Sequence, residues 1–261
     1  QTFTVYNDVF SDNGYCAINT NWSAYANGKA THSNPGIGWF DYTLITRCNN
    51  FLALTENTEV PFKDPNRLKQ LRNEVRFLRA WRYYMMATAY GDIPLVTEVI
   101  STLEESKMPA SPETDIVKFI LDELNELSAD GNLDVTPKES GRITRGAALA
   151  LKMRMCLYYK QYEEAIAAAD EIEKLGVYNL FTAGTTPYAD LFKEANEDCD
   201  EMIFSEQNIG VSGYGSKTEF WLGSRVSFGS CWNSYLPSAH WVESFECADG
   251  KPLNWNDFLP G

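Results

Sequence analysis

One long amphipathic stretch, which begins at Asp64, constrains the fold more than any other part of the chain. Asp64 and Pro65 form a helix start, an N-cap acceptor followed by a proline whose missing N–H costs nothing at the first helical position. Gly91, just past the last periodic residue, and Pro94 beyond it form a stop. The sequence therefore predicts a helix from Pro65 to Tyr90. Its buried face is predicted from apolar residues at steps of three and four, which are Leu68, Leu71, Val75, Leu78, Trp81, Met85 and Ala89.

Two shorter stretches on either side of this helix also carry helix signals. Apolar residues at helical spacing predict a helix of about Trp39 to Glu56. Ser111 as N-cap, with Pro112 at the first helical position, predicts a second helix that runs to about Ala129.

A pair of helices is predicted between Thr144 and Leu175. Thr144 caps the first helix, Lys160 and Gln161 make a tight connection, and Gly176 ends the second helix. A tyrosine at the turn and small alanines where two helices approach closely are similar to a tetratricopeptide hairpin. Stacking needs about three such hairpins, and the other predicted helices are candidates for divergent units.

The last third of the chain changes character. Glycines and aromatic residues between Gly210 and Gly229 exclude a regular helix there, since each interior glycine costs about 1 kcal/mol. The predicted fold class is therefore mainly α, a tetratricopeptide-like helical hairpin scaffold with long irregular loops and little β. We expect a single domain over residues 1–261, divided into an irregular segment (1–38), a helical scaffold (39–175) and a loop-rich segment (176–261).

The charge balance bears on possible partners. The chain has 36 acidic and 22 basic residues and a net charge of -14, which repels phosphate backbones and argues against nucleic acid as a partner. A negatively charged protein can still bind neutral ligands such as sugars or peptides. The net charge is also explained by simple solubility. No run approaches the roughly 20 apolar residues of a membrane span, and the first residues lack the basic and apolar regions of an export signal.

No catalytic or metal-binding pattern stands out. The six cysteines contain no C-x-x-C pair, their even number permits disulfides without requiring them, and His32 lies far from His240. The sequence has no G-x-S-x-G, G-x-x-x-x-G-K or H-E-x-x-H motif. We therefore expect no enzyme activity, no metal and no cofactor. Two carboxylates that meet in space, as in a glycosidase, are the alternative that one sequence leaves open.

Four arginines line one stripe of the long helix. Arg72, Arg76, Arg79 and Arg82 follow one another at spacings of four, three and three. A functional interpretation is an anion or partner site, and a structural one is a set of arginine–carboxylate pairs. The stripe abuts the buried edge and the chain has a surplus of acids, which favours the structural interpretation.

The long helix also carries a family resemblance. Residues 72–81, RNEVRFLRAW, and 90–96, YGDIPLV, resemble the signature of SusD/RagB-type nutrient-binding lipoproteins. Residues 201–205 are similar to the family's Glu-x-Ile-Phe strand, and Phe245 with residues 249–252 is similar to its Phe…Asp-Gly-Lys-Pro region. The resemblance covers about Trp39 to Pro252. Family members run to roughly twice this length, so we expect the chain to lack the beginning and a large C-terminal portion.

This resemblance implies a tetratricopeptide-like lipoprotein on the outer face of a Bacteroidota outer membrane. Such a protein binds an oligo- or polysaccharide without cleaving it and delivers it to a SusC-like TonB-dependent transporter. Its link to the membrane would be a lipid anchor that is absent from this chain, and no cofactor is implied. The alternative is a peptide-binding or protein-interaction scaffold of tetratricopeptide type.

Aromatic residues outside the long helix are the candidate ligand platforms. A sugar ring offers a face of C–H groups that stacks on Trp or Tyr, although each Trp taken singly is also a candidate core anchor. The family holds its ligand in an aromatic arc drawn from the loop before the first predicted helix and from the segment before the Asp-Gly-Lys region. The resemblance therefore implies Trp39, Trp221, Trp232 and Tyr235 as ligand-binding residues, in a segment (176–261) that faces the ligand. Of the six tryptophans outside the long helix, the others are Trp22, Trp241 and Trp255.

Overall fold

The structure is a computed structural model that describes residues 9–16, 24, 27–31, 40–56, 63–137, 139–207 and 234–257. The chain divides into two compact units. Unit 1 comprises Gln1–Gly38 and Asn208–Gly261, and unit 2 comprises Trp39–Gln207. The expected single domain in three segments is a different subdivision and stays a prediction.

Unit 2 is built from helices that pack against their neighbours in chain order. They are α1 (Thr43–Glu56), α2 (Pro65–Tyr90), α3 (Glu113–Leu127), α4 (Arg145–Tyr158), α5 (Tyr162–Leu175) and α6 (Pro187–Leu191), followed by a 3₁₀ turn (Glu194–Asn196). α1 contacts α2, α2 contacts α3, α3 contacts α4, and α4 contacts α5. Buried side chains of α1 to α4 belong to one core, which includes Ile45, Phe77, Ile120 and Met155. The predicted mainly α fold class is confirmed.

Both ends of α2 are where the sequence predicts them. The Asp64 carboxylate accepts hydrogen bonds from the backbone N–H groups of Asn66 at 3.0 Å and Arg67 at 3.1 Å. At the other end the Gly91 N–H donates to the Ala87 carbonyl, and Gly91 has a φ of 69°, which L residues with a side chain rarely adopt. These two local signals set the length of the helix.

The predicted buried face of α2 is wrong by about one residue. Leu71, Val75 and Leu78 are only half-buried, whereas Phe77, Ala80 and Tyr83 are fully buried. The reason is that α2 packs against α1, α3 and α4, so several of its sides are covered. The buried set therefore includes polar residues that find partners, such as Asn73, Glu74, Arg79 and Arg82.

The structural interpretation of the arginine stripe holds for Arg76, Arg79 and Arg82, which pair with carboxylates. Arg72 donates to the Leu52 carbonyl at 2.8 Å, and Arg79 donates to the Asn49 amide oxygen at 2.8 Å. Arg76 bonds two glutamates of α3, and Arg82 donates to the Asp41 carbonyl at 3.1 Å. The stripe therefore ties α2 to the elements beside it.

The predicted starts of α1 and α3 are corrected. α1 begins at Thr43 rather than at Trp39, because the Asp41 carboxylate accepts from the Thr43 N–H at 2.9 Å. α3 begins at Glu113, and Ser111 does not cap it. The Ser111 hydroxyl instead accepts from the Leu95 N–H at 3.4 Å, and a distant residue, Asp92, accepts from the Glu113 N–H at 2.8 Å.

The α4–α5 hairpin agrees with its prediction. The Thr144 hydroxyl accepts from the Ala147 N–H at 3.2 Å, Lys160 lies in the connection with a φ of 59°, and Gly176 ends α5 in the left-handed region. Gly146 lies against Tyr178, whose ring a Cβ at this position would overlap. Glycine is therefore required there by close approach.

Unit 1 contains a short antiparallel pair of strands, β1 (Gly14–Cys16) and β2 (Tyr235–Pro237). Gly14 pairs with Pro237 and Cys16 with Tyr235. A short helix, α7 (Ala239–Glu243), and a 3₁₀ turn (Trp255–Asp257) follow. In unit 2 the family pattern predicts a strand at residues 201–205, but the structure has a turn and irregular backbone there.

Candidate functional site

Three of the four predicted ligand-binding residues, Trp39, Trp221 and Trp232, lie outside the described residues. The fourth, Tyr235, begins β2 and is 6% exposed. It packs with Val9, Cys16 and Phe10 in a small cluster. Ligand binding by these four residues stays a prediction.

The chain just after Trp39 forms an aromatic edge of unit 2. Phe40 is exposed and meets the rings of Tyr42 and Tyr90 edge to face, with centroids 5.6 Å and 5.4 Å apart. The Tyr42 hydroxyl donates to the Pro94 carbonyl at 2.6 Å. Burial raises the pKa of Tyr42 to about 12, so its hydroxyl stays neutral at physiological pH. The edge therefore offers an aromatic surface on a fixed support.

Asp41 adds a charged acceptor to this edge. Its carboxylate accepts from the Thr43 hydroxyl at 2.6 Å and from the Thr43 N–H at 2.9 Å. These hydrogen bonds hold the pKa of Asp41 below its ordinary value. Asp41 is therefore a carboxylate at neutral pH and can accept hydrogen bonds from the hydroxyls of a ligand.

The Asp-Gly-Lys segment of unit 1 forms a closed turn. The Cys247 N–H donates to the Lys251 carbonyl at 2.8 Å, and Gly250 has a φ of 76°, which requires glycine. Lys251 bonds the Asp249 carboxylate at 2.5 Å and thereby lowers the pKa of Asp249. The turn presents a charged pair at the surface.

Aromatic side chains beside this turn were not among the predicted site residues. Trp241 and Phe245 meet edge to face with centroids 4.7 Å apart, and the Trp255 indole N–H donates to Glu243 at 2.7 Å. All three side chains are exposed. The four-residue spacing of Trp241 and Phe245 and the serine that caps α7 were signals in the sequence. The exposure of the three rings could not be predicted from it.

A half-open cavity of about 240 Å³ lies in unit 2 between the loop before α4 and the segment after α6. Its wall combines aromatic residues, Tyr178 and Phe204, with polar ones such as Arg142, Asp198 and Gln207. Asp198 accepts from the Ser140 hydroxyl at 3.0 Å, and Arg142 pairs with Glu74. These polar groups already have protein partners.

The described part of the chain has neither a metal-binding cluster nor a membrane-spanning helix. It contains no cluster of three or more His, Cys, Asp or Glu side chains that could hold a metal ion. Among its helices none is both long and apolar enough to span a membrane. Four cysteines of the described ranges, Cys48, Cys156, Cys199 and Cys247, are free thiols.

Comparison with known proteins gives consistent matches. A SusD-like family model, described as "Starch-binding associating with outer membrane", matches residues 1–157. A SusD-like protein of Bacteroides ovatus is 24% identical over 84% of this chain and 42% of its own length. The starch-binding protein SusD of Bacteroides thetaiotaomicron is 29% identical over 70% of this chain and 33% of its own.

A solved structure agrees in fold as well as in sequence. A SusD-like carbohydrate-binding protein of Bacteroides fragilis superposes with a TM-score of 0.79 at 25% identity, over 97% of this chain and 49% of that chain. The chain thus spans about half the length of this solved relative and less of the two curated ones. Because the family model matches more than half of the chain and the helical scaffold agrees, the chain belongs to the SusD-like family of starch-binding proteins associated with the outer membrane.

Proposed function

We propose that this chain binds extracellular glycan at the cell surface without cleaving it, and that the glycan passes to a SusC-like TonB-dependent transporter. The observation that carries the proposal is the family match over residues 1–157. The carbohydrate-binding relative that shares its fold supports it further. The location that goes with this role is the outer face of the outer membrane, with a lipid anchor.

Aromatic stacking is the proposed basis of binding, and Trp39, Trp221 and Trp232 are its proposed platforms. Sugar C–H groups pack on their faces, while carboxylates such as Asp41 accept from hydroxyls. Tyr235 is the fourth proposed ligand-binding residue, and it is 6% exposed. Each contact is weak, which suits release to a transporter.

Affinity electrophoresis in gels that contain neutral polysaccharides tests this proposal. We expect at least one polysaccharide to retard the chain, and Trp221→Ala and Trp232→Ala to reduce the retardation. Tyr188→Ala, which removes an exposed ring of unit 2, is the matched control and should leave it unchanged. If no polysaccharide retards the chain, or if both tryptophan variants run like the parent, the proposal is wrong.

Two further measurements separate the alternatives. In calorimetry, heat from oligopeptides without heat from oligosaccharides would favour the peptide-binding scaffold. Release of reducing ends from a bound glycan would contradict binding without cleavage. For the transporter step, we expect a stable complex when the chain is coexpressed with a β-barrel transporter encoded beside it, and no complex with an unrelated barrel.

A further inference from the structure

The chain that leads into α1 is bonded to α2 at one backbone carbonyl. The Arg82 guanidinium donates to the Asp41 carbonyl at 3.1 Å and lies 3.9 Å from the Asp41 carboxylate. Arg82 is 7% exposed, and a buried guanidinium is costly in free energy unless it is paired and hydrogen-bonded. Because Arg82 is already buried within unit 2, this contact does not depend on what else covers the surface.

Arg82 differs from two other arginines of the same stripe in what it bonds. Arg72 donates to a carbonyl of α1 and Arg76 donates to a carboxylate of α3, so both join one helix to another. The Arg82 bond instead goes to Asp41, two residues before α1 begins. It therefore fixes the path of a loop rather than the packing of two helices.

The next two residues hold the same segment further. The Tyr42 hydroxyl donates to the Pro94 carbonyl at 2.6 Å, and its ring meets the buried ring of Tyr83 edge to face, with centroids 6.5 Å apart. The Thr43 N–H donates to the Asp41 carboxylate at 2.9 Å. Contacts at three consecutive residues leave the backbone of this segment little freedom.

This fixed segment lies next to a proposed ligand platform in the sequence. Trp39 precedes Asp41 by two residues and is one of the proposed stacking residues. Ordering a chain segment on binding opposes association, so a segment that is held before the ligand arrives loses less affinity. An anchor two residues away restricts the chain that carries Trp39 and thereby reduces this cost.

We propose that Arg82 is a positioning residue for glycan binding, which acts through the Asp41 carbonyl on the segment that carries Trp39. Arg82 makes no contact with the glycan in this arrangement. The inference rests on the proposed glycan-binding function, and on Trp39 as one of its platforms. It extends that function to a buried residue of α2, to which neither the resemblance nor the family match assigns a part in binding.

A double-variant cycle tests the inference, by affinity electrophoresis in a polysaccharide that retards the parent chain. We expect Arg82→Met, which keeps an apolar stem, to weaken binding about twofold to tenfold, the range that ordering one side chain costs. Trp39→Ala should weaken binding at least as much. Because Arg82 acts through Trp39, the double variant should bind no more weakly than Trp39→Ala alone. Additive losses would overturn the inference.

Two further variants separate positioning from a general loss of stability. Arg82→Lys keeps a donor for the Asp41 carbonyl and should bind more tightly than Arg82→Met; equal binding would contradict the hydrogen bond as the cause. Arg76→Met removes another arginine of α2, whose partners are glutamates of α3. It should bind like the parent at a temperature where circular dichroism shows every variant to be folded. An equal loss in Arg76→Met would reflect a weakened α2 and would overturn the inference.

Hydrogen exchange measures the positioning without a ligand. In the first turn of α1 the Thr46 N–H donates to the Tyr42 carbonyl at 2.8 Å. Arg82→Met should speed amide exchange in peptides that cover residues 40–46, measured by mass spectrometry, and should do so more than Arg76→Met. Exchange at residues 40–46 that matches the parent would show that Arg82 does not hold this segment.

Failure of the inference and failure of the proposed function give different results. If polysaccharide retards the parent and Arg82→Met alike, positioning by Arg82 is wrong while the proposed function stands. If Trp39→Ala binds like the parent, Arg82 has no platform to position and the inference is again wrong. If no polysaccharide retards the parent, both are wrong.

Discussion

The hydroxyl of Tyr83 satisfies both backbone groups of Val96: it accepts from the Val96 N–H at 2.7 Å and donates to the Val96 carbonyl at 2.8 Å. Tyr83 is fully buried in the middle of the core. The extended segment after α2 therefore folds back along its own helix, where Tyr83 holds it together with Tyr42, Asn49 and Arg79, which donate to other carbonyls of the same segment or to that of Val96.

Tyr83→Phe tests this relationship. The variant leaves the buried Val96 N–H without its acceptor, so we expect a loss of about 2 kcal/mol in the free energy of unfolding, measured by urea denaturation. Tyr162→Phe, which removes an exposed hydroxyl, should change the free energy by less than about 0.5 kcal/mol. Equal effects of the two variants would contradict the assigned role of the Tyr83 hydroxyl.

Arg76 connects α2 to α3 through two carboxylates. It donates to Glu123 at 3.0 Å and to Glu126 at 2.7 Å, and it is 18% exposed. We expect Arg76→Met to cost about 2 kcal/mol by urea denaturation, because Glu123 is largely buried. Lys118→Met, which breaks the exposed pair with Asp122, should cost less than about 0.5 kcal/mol.

The stability that Arg76→Met loses should also depend on pH. The hydrogen bond from Arg76 lowers the pKa of Glu126 below its ordinary 4.5. A lowered pKa contributes stability that is present above 4.5 and is lost as the pH falls through the folded value. The difference between parent and Arg76→Met should therefore shrink on going from pH 7 to pH 3. A difference that is constant with pH would exclude this contribution.

Glu74 shows the opposite shift. It pairs with Arg142, yet burial outweighs that attraction and raises the pKa of Glu74 above its ordinary 4.5. A raised pKa in an acid means that stability falls as the pH rises through the window above 4.5, because the folded protein holds its proton longer than the unfolded chain.

Removing Arg142 should widen the pH range above 4.5 over which stability falls as Glu74 loses its proton. In Arg142→Met the pKa of Glu74 rises further, and we expect a loss of about 3 kcal/mol in the free energy of unfolding at pH 7, where the buried carboxylate has lost the guanidinium that it pairs with. At pH 4 the loss should be much smaller. The double variant Glu74→Gln/Arg142→Met should lack this pH dependence, and denaturation curves at both pH values check it. If Arg142→Met lost the same free energy of unfolding at pH 4 and at pH 7, the result would argue against an ionised Glu74.

Asp92 caps α3 from a distance of 21 residues in the chain. Asp92→Ala leaves the Glu113 N–H without its acceptor, and we expect the free energy of unfolding to fall by about 1 kcal/mol. Asp115→Ala, in the first turn of the same helix but without a capping bond, is the control and should lose less, about 0.3 kcal/mol. Thermal denaturation of the two variants distinguishes a specific cap from a general charge effect.

How much the sequence predicted depends on the range of the interaction involved. Asp64, Thr144 and Gly176 bond backbone groups within a few residues, so α2, α4 and α5 have the ends that their patterns predict. The cap of α3 was predicted wrongly because Ser111 has an alternative partner, Leu95, that only the folded chain brings near. The expected strand at residues 201–205 needed a pairing partner, which no local pattern can supply.

The prediction of the candidate site was limited in the same way, because local patterns do not show which side chains are exposed. The aromatic composition and the resemblance predicted stacking on sugars, but they could not separate Tyr235, which is buried against Val9 and Cys16, from Trp241, Phe245 and Trp255, which are open. Exposure depends on every element that packs around a side chain, and one sequence does not contain that information.

Local hydrogen bonding and the family pattern, both readable in the sequence, determined the ends of α2 and of the α4–α5 hairpin and the family to which the chain belongs. The tertiary structure alone decided which side of α2 is buried, which carboxylates its arginines meet and which aromatic rings remain open. These are contacts between residues far apart in the chain, and their free energies depend on the burial and partners that only folding creates.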